Sequence, residues 1–485
     1  MKKKQGAAME VIPMKAVLTK KPGPRRRFRM VACGNYIEKG GKEEVYASGA
    51  DALTVRFALK KGAEMGWKGL ALDIKVAFLN APLRDDEDHG DEAEVILKPP
   101  SLLVRLGYAR PGEHYLAVKA VYGLRQSPRK WGRHRDRKLL QMKTKEGYVF
   151  RPSTAEPNLW KVLKVPLETD LTEVEEFESE LYGLLVIYVD DILILSTVVI
   201  VLSIRDTLQI EWETSTPEWL GVKPVKFLGM EISEHDRGFL ANQTSYIWDK
   251  DEKDVRRKSK VPTIKDMYPP PEESIEESDV RMAQKLVGEL LWVSTRTRPE
   301  ISFAVSRCSA MILTAPRWTC EMCRSISAYL KETPEEGLWF GRDRDLEDHE
   351  IDGKGGLRAY SDISFAPMGE GSISHGGVMV LWNGALMWWR SGKQPFPTLS
   401  TAEAELVEAI EAFTLGDSVD ALISEHEVGY VRHLLIDNQA AVSLLGEGPV
   451  SWRTRHLKLR AEALRWRLTR LDWRACFITR RAPGS

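Results

Sequence analysis

Three aspartates stand where the surrounding sequence is made to be buried. Asp73 closes the apolar run Leu70-Ala71-Leu72, and Asp190 and Asp191 interrupt YGLLVIYVDDILILSTV between two stretches rich in Val, Ile and Leu. A carboxylate taken out of water is costly unless it is paired or meets a cation. One such aspartate reads readily as a turn or cap residue, and an Asp-Asp pair at a hairpin tip is as well explained by the turn as by a site. Three that converge have a different use. Mg²⁺ prefers oxygen ligands and is commonly held by one or two carboxylates plus substrate phosphates. Two such ions, about 3.5–4 Å apart, clamp the attacking and leaving oxygens of an in-line phosphoryl transfer.

The elements that must position these acids are legible nearby. The apolar stretch from Tyr182 to Ile204 is long enough to cross a bilayer. Each acid at its centre would cost about 2.5–3.5 kcal/mol there. Two short strands, GLLVIYV and ILILSTV, joined by a tight turn are the better reading, and no membrane association is expected. LALD reads as a strand that brings Asp73 in. ADALTVRFALKKGAEMGW has helical spacing, with Leu53, Phe57 and Met65 inward. PRKWGRHRDRKLLQMK reads as a basic helix opened by Pro128. RFRMVACGN reads as a strand whose arginines point away from an apolar face.

The 485 residues suggest two to four domains, and 43% hydrophobic with 29% charged residues is ordinary for a globular chain. The 70 basic and 70 acidic residues cancel, so a nucleic-acid footprint has to come from local clusters. Such clusters exist at Arg25–Arg27 and in the tail, where Trp452, His456, Trp466 and Trp473 are interleaved with arginines. An amphipathic basic helix explains that tail as well as a nucleic-acid surface does. Two acidic runs, RDDEDHGDEAE and ETDLTEVEEFESE, read as solvated loops, and DMYPPPEESIEESD as a linker. Five cysteines, an odd and sparse set, fit a reducing intracellular compartment, cytoplasmic or nuclear, and the N-terminus carries no secretory signal. Cys320 and Cys323 form a C-x-x-C without a second pair at zinc spacing.

Several motifs in order give these acids a family context. YVDD (188–191), LDIKVAFLN (72–80), YGLRQSPRKW (122–131), EVIPMKAVLTKK (10–21), RFRMVACGN (27–35), KFLGMEI (226–232) and TRTRPEISFAVS (295–306) together resemble the reverse transcriptase of copia-type LTR retrotransposons. The resemblance implies an α+β right-hand polymerase with palm and fingers, a helical thumb or connection, and an α/β ribonuclease H-like domain behind it. On that basis residues 1–265 would be fingers and palm, 266–350 thumb or connection, and 351–485 the ribonuclease H-like domain. Asp73, Asp190 and Asp191 match the family's polymerase metal ligands. Phe78 matches the aromatic that closes against the sugar 2′ position, and Gln126 the residue beside the incoming nucleotide. Arg27 and Arg29 lie where basic fingers residues grip phosphates. A core position for Phe78, a helix-entry role for Gln126 and a solvated patch for the arginines are the plain alternatives.

YSDISFA, LSTAEAELVEAIEAF and LLIDNQAAV resemble the family's ribonuclease H, with Asp362, Glu403 and Asp437 as the matching acids. Helix capping offers another explanation for two of them, since Ser400-x-x-Glu403 has the pattern of a capping box and Asp437-Asn438 that of an N-cap. A fourth acid is not evident. RTRHLKLR carries Lys458 where the family has an acid, which leaves weak or lost RNA cleavage as an open outcome. The resemblance implies two Mg²⁺ ions per site, with Mn²⁺ as the alternative, and an RNA template, a DNA primer, dNTPs and an RNA–DNA hybrid as partners. The competing expectation is an inactive nucleic-acid-binding relic of a retrotransposon polyprotein.

Overall fold

The structure, a computed structural model, describes residues 9–20, 26–36, 49–84, 94–168, 180–249, 269, 274–342, 355–365, 373–446 and 457–477. Both acidic runs apart from their end residues, half of the expected linker (266–268 and 270–273), the boundaries at 265 and 350, and Trp452 and His456 lie outside these residues, while the end of that linker already belongs to helix Glu277–Ser294. Within them the chain is a mixed α/β structure with four sheets.

The sheet that carries the first acids has six strands, all antiparallel. Their order is Glu218–Trp219, Lys68–Asp73, Asp191–Ser196, Gly183–Tyr188, Leu159–Lys164 and Tyr148–Pro152. The apolar stretch is thus a hairpin as far as Ser196, as its acids required, and its remainder (198–204) opens helix Val198–Glu211. Ile187, Ile192, Leu193 and Ile194 are fully buried. Among the described residues no helix is long and apolar enough to cross a membrane.

Helix Ala52–Glu64 packs on this sheet, and it is buried nearly all round. Leu53 and Phe57 point inward as expected, whereas Met65 is exposed. The surprise is on the face the sequence marks as polar, because Arg56, Lys60 and Lys61 are buried too. Their ends find partners on distant elements. Lys60 Nζ donates to the Gly341 carbonyl at 3.0 Å, and Lys61 pairs with Glu427. Arg56 donates to the carbonyls of Met387, Thr295 and Arg296 at 2.7–2.9 Å. A helix buried on every side becomes a hub, and one hydrophobic cluster runs from Ala50 through this helix to Trp473.

A four-stranded sheet near the N-terminus pairs Arg26–Ala32 antiparallel with Met9–Lys20. Its expected apolar face is not buried, since Phe28 and Met30 are 47% and 42% exposed. A third sheet, again of four strands, includes Val225–Phe227, Met230–His235, Gly238–Asn242 and Leu338–Gly341. Helices Glu277–Ser294, Ser302–Met311 and Pro316–Glu332 share a separate core in which Cys308, Cys320 and Cys323 are buried.

The last sheet has the order Ala385–Lys393, His375–Trp382, Gly356–Ser364, Val431–Ile436 and Trp473–Phe477. Its first three strands are antiparallel and the last three parallel. Helix Thr401–Ser424 covers one face. Gly416 allows close approach there, because a Cβ would meet Ala359 and Trp473 at 3.2 and 2.6 Å.

Candidate metal centres

Strand register brings the first acids together. Asp73 ends its strand directly opposite Asp191. Tyr188 also pairs with Asp191, so Val189 and Asp190 form a two-residue hairpin loop. One carboxylate oxygen from each of Asp73, Asp190 and Asp191 lies within 4.8 Å of the others. The three expected residues therefore do meet.

The loop is strained and held from below. Val189 has φ of +58°, a left-handed conformation that a β-branched residue adopts at a cost of about 1–3 kcal/mol. Its carbonyl accepts hydrogen bonds from Trp131 Nε1 at 2.8 Å and Arg135 Nη1 at 3.3 Å. Trp131 and Arg135 lie on helix Ser127–Gln141 and are 1% and 3% exposed. The RQSPRKW segment thus serves as a clamp on the acid-bearing turn. Asp73 is fixed in the same way, its amide donating to Ser215 Oγ at 2.9 Å and its carbonyl accepting from the Ser215 amide at 2.7 Å. The Ile74 amide donates to the Asp190 carbonyl at 2.8 Å, which ties the two acidic segments together.

The electrostatics of this trio favour a cation. The Asp191 carboxyl is pushed up to about 7, by burial first and then by Asp190 and Asp73. Three half-buried carboxylates with mutual repulsion are a donor set that a hard divalent ion would relieve. The residues present therefore fit magnesium.

Phe78 sits on the short helix Ala77–Asn80 and meets Tyr122 edge-on, with ring centroids 4.9 Å apart at 60°. Arg29 lies over the other ring of that pair, 5.5 Å from the Tyr122 centroid. The Tyr122 hydroxyl is raised by burial and then by Asp190, while Arg29 and Arg27 pull it down and Asp73 adds to the rise. Phe78, both arginines and the acids therefore share one neighbourhood, with Tyr122 at its centre. Sequence reasoning passed over Tyr122, although it stands in the quoted YGLRQSPRKW motif. Gln126 lies at the entry of helix Ser127–Gln141 and lines a separate cleft of about 170 Å³ with Arg84, Glu94 and Leu116.

The second group needs a correction. Asp362 and Asp437 meet, but their partner is Glu405 rather than Glu403, with carboxylate oxygens within 4.8 Å of one another. Parallel strands set this up, since Ser361 pairs with Ile436 and each acid follows its strand partner. Glu403 is occupied in capping. Its amide donates to Ser400 Oγ at 3.2 Å, while its carboxylate accepts from the Leu399 amide at 2.8 Å and from Arg460 Nη1 at 2.7 Å. The capping pattern in STAEAEL was itself the signal, because a glutamate used at N3 leaves the next one in the sequence for other work. Asn438 Oδ1 accepts from the Ala441 amide at 3.1 Å, so Asn438 makes the second expected cap.

The basic tail is partly structural. Trp473 is 4% exposed and packs against Phe413, so it is no stacking platform, whereas Trp466 is 62% exposed. Arg460 and Arg467 lie over Phe396 and Phe413 at 4.8 and 5.0 Å.

With this geometry in view, the chain is homologous to the Pol polyproteins of copia-type retrotransposons. It is 26% identical over 447 residues to the retrovirus-related Pol polyprotein from transposon RE1 of Arabidopsis thaliana, covering 90% of this chain and 27% of that protein. It is 24% identical over 465 residues to that from transposon TNT 1-94 of Nicotiana tabacum, covering 91% and 31%. The chain thus spans between a quarter and a third of these relatives. A putative transposon Ty5-1 protein of Saccharomyces cerevisiae is 25% identical over 357 residues, covering 70% of this chain and 98% of that protein. A solved foamy-virus protease-reverse transcriptase covers 98% of this chain at 14% identity, and its TM-score of 0.26 is too low to define a common arrangement. No family model matches the chain.

Proposed function

We propose that this chain is an RNA-directed DNA polymerase with an appended ribonuclease H-like unit. The observation that carries the reading is the meeting of Asp73, Asp190 and Asp191 at a clamped hairpin tip in a chain homologous to retrotransposon Pol proteins. The six-stranded sheet would be the palm and the N-terminal four-stranded sheet part of the fingers. Helices Glu277–Ser294 to Pro316–Glu332 would form the thumb or connection. The five-stranded sheet with helix Thr401–Ser424 would be the ribonuclease H-like unit.

Asp73, Asp190 and Asp191 would hold two Mg²⁺ ions, or Mn²⁺ in their place. When bound, such ions neutralise charge developing on a transferring phosphoryl group. The primer 3′-oxygen bonds to the α-phosphorus of a dNTP, the bond to the pyrophosphate oxygen breaks, and the hydroxyl proton leaves to solvent. Arg27 and Arg29 would bind phosphate oxygens, for which guanidinium geometry is suited. Phe78, backed by Tyr122, would exclude a 2′-hydroxyl, the group that marks ribonucleotides. In the second group, Asp362, Glu405 and Asp437 would serve hydrolysis of RNA paired to DNA.

Primer extension on an RNA template in Mg²⁺ tests the reading. The native chain is expected to extend the primer and Asp190→Asn to fail. A folded native chain that does not extend would favour the inactive relic. Equal extension by both would remove Asp190 from the site.

The two glutamates separate cleanly in a hybrid-cleavage assay. Glu405→Gln is expected to abolish cleavage without loss of stability. Glu403→Ala keeps cleavage and costs about 1 kcal/mol through the lost side of the capping box, read by thermal unfolding. The opposite pattern would restore Glu403 to the metal group.

A further inference from the structure

Three consecutive residues after helix Thr401–Ser424 each reach across to elements of the six-stranded sheet or to the helix packed on it. Glu425 fills the turn between strands Tyr148–Pro152 and Leu159–Lys164. Its carboxylate accepts from the amides of Thr154 and Ala155 at 3.0 and 3.1 Å, from Ser153 Oγ, and from Lys161 Nζ at 2.7 Å. Burial alone would push this carboxyl up, yet the four donors outweigh it and hold it down at about 2. Glu427 pairs with Lys61 on helix Ala52–Glu64. Between the two acids, His426 lies against the Phe57 ring, with centroids 5.2 Å apart at 41°. The amides of His426 and Glu427 both donate to the Ile423 carbonyl, at 2.8 and 2.9 Å, so one tight turn presents all three side chains.

The middle residue is poorly placed to carry a charge. His426 Nε2 is buried and has no hydrogen-bond partner among the described residues. A proton on it would meet no acceptor and would stand near two ammonium groups, Lys161 on its strand and Lys61 on its helix. Glu425 and Glu427 act in the opposite sense, but each is already paired with one of those lysines. The imidazole is therefore pushed down to about 4, by burial first, with Glu425 opposing and Lys161 and Lys61 adding to the fall. Released into water, it would take the ordinary value of about 6.5. The neutral ring thus supports the contact fully above about pH 6.5, and that support is lost as pH falls through about 4.

We propose that Glu425, His426 and Glu427 form a proton-sensitive latch, which holds the end of helix Thr401–Ser424 on the Ser153–Ala155 turn and on helix Ala52–Glu64, and releases it when His426 is protonated. The latch concerns how the two acid-bearing sheets are joined, so it stands whether or not either acid group is catalytic. Two sites on one chain would keep a fixed separation near neutral pH and lose it in mildly acid solution.

Hydrogen exchange read by mass spectrometry on the full chain at pH 7.5 and 5.5, corrected for intrinsic rates, tests it. The opening constant is expected to rise about tenfold between those pH values, the ratio that one group moving between about 4 and 6.5 gives. The rise should appear in peptides over 153–161 and 420–430 and be absent from hairpin Gly183–Ser196. His426→Gln keeps a polar side chain that does not titrate, and should show equal protection at both pH values. Glu425→Gln weakens the anchor without touching the proton site. It should raise exchange in the same peptides about tenfold at both pH values and keep the step between them. A step that persists in His426→Gln would overturn the proposal, as would a native chain with no step. Equal loss of protection in the Gly183–Ser196 hairpin would also overturn it, because that reports unfolding of the whole chain rather than release of one contact.

Discussion

Asp191→Asn is expected to lose primer extension by about 10³-fold or more while making the metal-free protein more stable at neutral pH. Both effects come from one cause. In an unfolded chain an aspartate titrates near 3.9, whereas Asp191 in the folded chain is pushed up to about 7 by burial, Asp190 and Asp73. The folded state therefore holds an extra proton between those values. Its contribution to stability is complete below about pH 4 and is lost as pH rises through about 7. An amide at this place carries no charge, so the loss disappears. Melting temperatures of the metal-free native chain should fall relative to Asp191→Asn over that window. Mg²⁺ should raise the native melting temperature at pH 8 and leave the variant nearly unmoved, because only a ligand bound to the folded state shifts the balance. Three powers of ten in rate correspond to about 4 kcal/mol at the transition state. Matching melts for the two proteins at pH 5 and pH 8 would show that the three acids do not repel one another as the geometry requires. Such a strained, repulsive site is a common place for stability to be given up for activity.

Local pattern made the first site readable and left its support hidden. Acids inside apolar strands announce themselves because burial without a partner is costly, and strand periodicity then fixes which residues face each other. Asp73, Asp190 and Asp191 needed only that much. Trp131 and Arg135 did not show, because a hydrogen bond to the Val189 carbonyl across 54 to 58 residues of chain leaves no trace in spacing. The exchange of Glu403 for Glu405 differs, because the capping pattern at Ser400 already marked Glu403 for the cap. The tertiary approach of Asp362 and Asp437 then selects Glu405. Met65 and the Phe28–Met30 face went astray where helical or strand spacing was taken to mean burial, although spacing defines only that a face exists. Trp473 went the other way, its core position against Phe413 concealed by a surrounding run of arginines, one of which, Arg467, lies over the same Phe413 ring.

Arg56→Ala is expected to destabilise the chain by on the order of 3–5 kcal/mol and to divide its unfolding into two transitions. Arg56 lies on the helix that lies between the six-stranded and five-stranded sheets, and is 2% exposed. Burial pulls its guanidinium down to about 9, so it remains charged at pH 7. Three backbone carbonyls, from Met387 on the last sheet and from Thr295 and Arg296 after helix Glu277–Ser294, offset that desolvation. The Trp389 ring lies against the guanidinium at 4.1 Å, and its Nε1 donates to the Ser294 carbonyl at 2.8 Å. One side chain therefore joins three parts of the molecule, including both proposed catalytic units. Alanine would leave three carbonyls without their donor at about 1–3 kcal/mol each, less whatever water recovers. It would also open a void beside Trp389. Arg56→Met fills the space but restores no donor, so it should recover only the packing part. Differential scanning calorimetry reads both the loss and the split. A single transition displaced by under about 1 kcal/mol in Arg56→Ala would show that the continuous apolar cluster, not this charge, couples the sheets. Should the split appear, spacing between polymerisation and RNA cleavage on one hybrid ought to blur in the same variant, since a fixed distance between two sites requires a rigid joint between the elements that carry them.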